Sequence, residues 1–236
     1  MTSPAAPLLV LAAMPEEAAP LVARLESAER LATPFTSGVA AVRGRLAGRD
    51  AVVVTTGIGI AAATAAATWG ILAHGPSVVV AAGSCGGLAA DVEVGTLIVG
   101  DTFTYSIADA TAFGYAPGQV PGGPERFAAD GAWADRAERA ARESSGAVRR
   151  GLMLSGDAFV TAPLAGPMRE RFPSALSADM ETTASARTAE ALGVPFVALR
   201  AVSDLCGPAA GQQFHLELDQ VAETSARAVE AFAAQL

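Results

Sequence analysis

The chain has 236 residues, 51% of them apolar, 17% charged, and a formal charge of −8. That is enough apolar material for a sizeable core, and an acidic surface excludes the electrostatic footprint of a DNA, RNA or anionic-membrane binder. Two cysteines (Cys85, Cys206) and two histidines (His74, His215) fit neither a disulfide framework nor a metal centre. Reduced thiols, a cytoplasmic location, no metal and no cofactor are therefore expected.

The apolar start, Met1 to Met14, lacks a basic region and reads as a first strand, Pro7–Ala13, not as a signal peptide. A helix over Pro15–Glu26 follows, with proline suited to its first turn. Glu16 and Glu17 either stabilise the helix dipole or place one carboxylate past the carboxyl end of the strand, where α/β sheets bind ligands. Strands Ala40–Leu46 and Ala51–Thr55 suggest a hairpin around Arg49-Asp50. The second leads through Thr55-Thr56-Gly57-Ile58-Gly59 into an Ala-rich helix, Ile60–Ala73. Strand Ser77–Ala82 leads into Gly83-Ser84-Cys85-Gly86-Gly87, read as another strand-to-helix turn. Such turns bring backbone N–H groups close to ligands, but neither matches a phosphate loop or a dinucleotide fingerprint.

Strand Gly95–Tyr105 precedes a long segment, Ala110–Glu125, rich in glycine, proline and aromatics. Long loops are usually functional or disordered, and this composition favours an ordered wall. Helix Ala132–Ser144 and strand Gly151–Ser155 follow. Beyond them Phe159 can stack on a flat base or join the core. After helix Pro163–Phe172, Asp179-Met180-Glu181 stands before helix Glu181–Leu192, either as a cap or as acceptors for sugar hydroxyls. Strand Pro195–Ser203 delivers Asp204 at its carboxyl end. Burial there would raise the pKa and favour a proton donor; a turn aspartate is the alternative. Helix Asp219–Ala234 ends the chain. No stretch suits a membrane span. Alternating strands and helices predict an α/β fold: one domain with a central mixed β-sheet flanked by helices.

Taken together, Ala13-Met14-Pro15-Glu16-Glu17, Gly57-Ile58-Gly59, Gly83-Ser84-Cys85-Gly86-Gly87-Leu88, Asp109–Tyr115, Gly118–Gly122, Ser155–Phe159, Asp179-Met180-Glu181 and Arg200–Asp204 resemble the purine nucleoside phosphorylase superfamily. Within it they resemble the 5′-methylthioadenosine/S-adenosylhomocysteine nucleosidases, from about Leu9 to Ala231. The resemblance implies a nucleoside phosphorylase-like fold and hydrolysis of an adenine nucleoside, in nucleoside catabolism and methionine salvage. It implies that Glu17 activates water and that Asp204, with Ser203 beside it, protonates N7 of the base. Glu181 would accept the ribose hydroxyls and Met180 would pack under the sugar. Phe159 would stack on adenine, with Val160 as a backbone partner. Ser84 and Gly86 would stand near ribose and base, and Ile58 on the 5′ side. Phe113 and Pro121 would reach the partner's 5′ pocket in a homodimer. The logic is that of glycoside hydrolysis, an acid on the leaving group and a base on water.

The chain leaves the family pattern at Ser106 and Ile107, in Leu205–Gly211, and at Leu218, where an aromatic often closes the 5′ pocket. Alternatives are a nucleosidase for another 5′-modified purine nucleoside (futalosine, aminofutalosine or 5′-deoxyadenosine), a phosphorylase, and a non-catalytic nucleoside-binding protein. A phosphorylase would want cationic partners for phosphate, and the two glycine turns contain no arginine.

Overall fold

A computed structural model describes residues 6–236; the Met1–Ala5 part of the expected first strand region lies outside them. In chain order the elements are β1 (Leu8–Ala12), α1 (Pro15–Ala23), β2 (Glu26–Leu31), β3 (Ala40–Leu46), β4 (Arg49–Thr55), α2 (Ile60–His74), β5 (Val78–Gly87) and β6 (Leu97–Tyr105). Then come β7 (Phe127–Ala128), α3 (Gly131–Ser144), β8 (Val148–Ser155), α4 (Ala162–Arg171), β9 (Ala175–Asp179), α5 (Thr182–Ala191), β10 (Phe196–Asp204) and α6 (Ala210–Ala234). All strands join one mixed sheet, as the alternating pattern predicts.

Every residue of β1 and of β10 is buried, because helices cover both sheet faces. Side chains alternate between the two layers. Leu8, Val10 and Ala12 face a core with α1, α3 and α6, including Leu21, Ala137 and Phe232. Leu9 and Leu11 face the other, with Ala66, Ala67 and Ile71 of α2 and Ala186 and Ala189 of α5. The alanine richness of α2 allows that approach: a Cβ on Gly70 would stand 3.1 Å from Leu9.

The topology that matters is the path of β5. Along one edge it runs parallel to β10, from Val79 to Gly86. Along the other it pairs with β1 only as far as Ala81, then meets β9 antiparallel at Gly86 and Gly87. Pairings β10–β6, β6–β8 and β8–β9 complete a closed ring of five strands. β1, β4, β3 and β2 extend from it as a wing. A gap is left where β1 and β9 part on the edge of β5.

Several expectations need correcting. Gly83–Gly87 is not a strand-to-helix turn but the second half of β5; the glycines let the strand change neighbours and accept close approaches. β2, β7 and β9 were not anticipated. β2 is exposed almost throughout, so it has no apolar alternation to read, and β9, Ala-Leu-Ser-Ala-Asp, is built of small residues. α1 stops at Ala23, where the N–H groups of Arg24 and Leu25 turn back to Leu21 and Val22. The β3–β4 hairpin turns at Ala47-Gly48, both with positive φ (47° and 79°), ahead of Arg49-Asp50. α6 begins at Ala210 rather than Asp219; its first turns are half-buried at most after Ala210, with Phe214 and Leu218 the large apolar residues on the less exposed side, so the apolar pattern there is short. The Ala110–Glu125 segment is ordered locally. Asp109 accepts the Thr111 N–H and hydroxyl, ahead of a single 3₁₀ turn at Thr111–Phe113. Among the described residues no helix is long and apolar enough to cross a membrane.

Candidate active site

The parallel strands deliver their carboxyl ends to one cavity of about 370 Å³, within the range of small-molecule sites. Glu17, on the first turn of α1, is buried, whereas Glu16 beside it is exposed. The Glu17 carboxylate fills the gap on the edge of β5. Its Oε2 accepts from the N–H groups of Ala13 (2.9 Å) and Met14 (3.2 Å). Its Oε1 accepts from the N–H and hydroxyl of Ser84, both at 2.7 Å. Gly83 is required here: it has φ of +124°, and a Cβ on it would stand 2.5 Å from the Glu17 carboxylate.

Arg200 lies within β10 and is one of the largest fully buried side chains. One Nη donates to the Ser84 carbonyl at 2.8 Å, the other to Glu181 Oε2 at 3.3 Å, and Nε stands 3.8 Å from Asp179 Oδ2. Burial works against its charge, but Asp179, Glu181 and Glu17 outweigh burial and hold its pKa above the ordinary arginine value. Sequence reasoning assigned Arg200 no role. The available signal was a lone cation in an otherwise apolar buried strand, which must find carboxylates.

Glu181 stands at the entrance of α5, and its Oε1 accepts from the Gly59 N–H at 2.9 Å. Burial pushes its pKa up to about 7; Arg200 opposes this, and Asp179 and Glu17 reinforce it. Asp179 serves the cap role read from the sequence: its Oδ1 accepts from the N–H groups of Glu181 and Thr182 and from the Ser155 hydroxyl, each at 2.8 Å. At the end of β10, Asp204 is buried, which raises its pKa. The Cys206 N–H (2.9 Å to Oδ1) and the Ser203 hydroxyl (3.0 Å to Oδ2) oppose the rise.

Gly86, Ile58, Val160, Met180 and the partly exposed Phe159 also line the cavity. All ten residues expected around base, ribose and reacting bond therefore share one cavity: Glu17, Ile58, Ser84, Gly86, Phe159, Val160, Met180, Glu181, Ser203 and Asp204. Phe113 and Pro121 do not line it; both are exposed, Phe113 to 83%. Leu218 does not line it either. The aromatic from α6 is Phe214, which meets Phe159 edge-on at 5.7 Å. The sequence concealed Phe214, because the facing of α6 depends on where the helix starts. Cys85 and Cys206 also line the cavity.

A sequence model of the phosphorylase superfamily matches residues 7–236. The chain belongs to that superfamily. Among solved phosphorylase-superfamily structures similar to it is the Neisseria meningitidis 5′-methylthioadenosine/S-adenosylhomocysteine nucleosidase in complex with methylthio-immucillin-A. That enzyme is 36% identical, with 98% of this chain and 100% of the other covered and a TM-score of 0.93. The Colwellia psychrerythraea 5′-methylthioadenosine/S-adenosylhomocysteine nucleosidase in complex with adenine is 31% identical (98% and 96% covered, TM-score 0.92). The Streptococcus pyogenes S-adenosylhomocysteine nucleosidase in complex with 5-methylthiotubericidin is 26% identical (100% and 99% covered, TM-score 0.93). Within the superfamily, the chain groups with the 5′-methylthioadenosine/S-adenosylhomocysteine nucleosidases.

Proposed function

We propose that this chain hydrolyses the N-glycosidic bond of 5′-methylthioadenosine and S-adenosylhomocysteine, releasing adenine and the 5′-thioribose. The observation that carries the reading is the pairing of two unlike carboxyl groups in one cavity. Asp204 is buried with a raised pKa, which suits a donor to N7 of the departing base. Glu17 is surrounded by donors alone, which suits a carboxylate that takes a proton from water. Of those donors the Ser84 hydroxyl is the one that can rotate away and free a lone pair. Glu181, turned toward Arg200 and Gly59, is the acceptor for the ribose hydroxyls, and Phe159 stacks on the base. Charge builds up on the sugar as the bond breaks, and the carboxylates beside it favour that state.

Arg200 bears on the choice between water and phosphate. A guanidinium does line the cavity, supplied by β10 and not by the glycine turns. Its Nη groups are engaged by Ser84 and Glu181, and its Nε faces Asp179. Among the described residues no other cation lines the cavity, and the engaged Arg200 favours water over phosphate as the nucleophile.

The chain acts as one nucleosidase domain, a reading supported by the single sheet and the match over residues 7–236. It works as a homodimer in the cytoplasm, within methionine salvage. The exposed Phe113 on an ordered loop supports the pairing, with Phe113 and Pro121 reaching the partner's 5′ pocket.

The test is adenine release from 5′-methylthioadenosine, S-adenosylhomocysteine and aminofutalosine, with and without phosphate. Release from the first two at a rate indifferent to phosphate is expected. No release from either, or release that needs phosphate, overturns the reading.

A further inference from the structure

Asp157 stands in the middle of the motif that runs from Ser155 to Phe159, yet it does not line the cavity and has no part in the chemistry described above. Its side chain reaches across to α2, where Oδ1 accepts the Ile60 N–H at 2.8 Å. The first N–H groups of a helix need acceptors, commonly supplied by a Ser, Thr, Asp or Asn at the N-cap. α2 has Gly59 there, with no side-chain cap, and no acidic residue in its first turn. Its acceptors come instead from far along the chain: Asp157 takes the Ile60 N–H and Glu181 the Gly59 N–H. Gly59 makes room for this. Its φ is +100°, and a Cβ on it would stand 2.7 Å from Asp157 Oδ1. Two carboxyl groups, one from the loop after β8 and one from the entrance of α5, thus dock on neighbouring N–H groups directly after Ile58.

We propose that Asp157 is a positioning residue for base recognition: docked on the start of α2, it holds the backbone that carries Phe159 in register with the ribose acceptor Glu181. The inference rests on the reading of Phe159 as the residue that stacks on the base. Residues 157–160 have few other ties. Among the described residues, their only hydrogen bond to another element is the one from Ile60 to Asp157, while the Ala158 N–H turns back to the Gly156 carbonyl at 2.7 Å. Gly156 is itself anchored, its N–H donating to the Asp179 carbonyl at 3.1 Å, so the unsupported length starts at Asp157. Val160 packs with Leu154 and Ala165, but Phe159 is 45% exposed. Phe214 meets the Phe159 ring edge-on at 5.7 Å. Phe214 therefore bears on the tilt of the ring, and Asp157 on the place of the backbone beneath it. A carboxylate on the N–H groups of a helix start gains from both the hydrogen bond and the helix dipole. Because Glu181 uses the adjacent N–H, the base side and the sugar side of the cavity share the start of α2 as a common reference.

The experiment compares Asp157→Ala, Asp157→Asn and Ile60→Pro with the unaltered chain. It reads kcat and KM for adenine release from 5′-methylthioadenosine, and adenine affinity by calorimetry. Asp157→Ala deletes the acceptor, so KM and the Kd for adenine should both rise by about tenfold, the lower end for a hydrogen bond to a charged group. The change in kcat should be smaller, since neither Asp204 nor Glu17 is touched. Asp157→Asn keeps a carbonyl oxygen in place and should restore most of the affinity. Ile60→Pro removes the same bond from the donor side, at the first helical position, where proline is tolerated, and should reproduce the rise in KM. A merely structural cap predicts a lower melting temperature with KM and adenine affinity unmoved, and that result in Asp157→Ala overturns the proposal. Should that variant not fold, unmoved values in Ile60→Pro do so instead. Adenine affinity unaffected by Phe159→Ala would instead overturn the stacking assignment on which the inference rests.

Discussion

Each carboxyl group of the cavity has its own hydrogen-bond partners, and these are the basis of the roles proposed for them. Asp204→Asn keeps the volume and the Ser203 contact but has no proton to give. Turnover should fall by roughly 10²–10⁴-fold with nucleoside binding retained, measured by adenine release and by calorimetry. Glu181 gives a second prediction, on stability. Its folded pKa, about 7, lies above the ordinary 4.5, so the folded state binds more protons through that interval. The associated stability is present below about 4.5 and is lost as pH rises through about 7. The melting temperature should decline across this window, and Glu181→Gln should flatten the decline. An equal slope in the variant would assign the loss to other groups.

The decisive element is β5, which changes neighbours midway and so leaves an edge for a side chain instead of a strand. Its glycines were visible in the sequence but read as a turn, because a strand that swaps partners has no local signature. A tie from α6 steadies the bend. The Ser225 hydroxyl donates to the Leu199 carbonyl at 2.6 Å and accepts the Gly83 N–H at 2.9 Å. Ser225→Ala removes the acceptor of the buried Gly83 N–H, which costs about 1–3 kcal/mol. Lower stability in denaturant titration is expected, together with reduced turnover, since Gly83 abuts Glu17. Arg200 and Phe214 became legible only at this scale, one through its carboxylates and the other through the start of α6.

For the whole molecule, the proposed homodimer turns on one exposed surface. Phe113 is 83% exposed, and Ile107 nearby is 58% exposed; Phe113 lies on the loop assigned to the partner's pocket. Phe113→Glu should weaken the proposed dimer in analytical ultracentrifugation. It should also raise KM for 5′-methylthioadenosine more than it lowers kcat, because the loss falls on the 5′ side. A dimer and KM both unaffected would remove Phe113 from that role.

The sequence by itself determined the α/β class, most helices and central strands, and the positions of Glu17, Glu181 and Asp204, because burial periodicity and motif spacing are local properties. It left each of those carboxylates with a bland alternative: a helix-dipole glutamate, a cap, a turn aspartate. Only the tertiary structure brought the three together in one cavity. It closed β5, β10, β6, β8 and β9 into a ring and brought residues from both ends of the chain to one cavity. Enclosing Arg200 among three carboxylates and burying Asp204 beside Cys206 are consequences of that closure, since desolvation and charge pairing act through space and leave no mark on spacing along the chain.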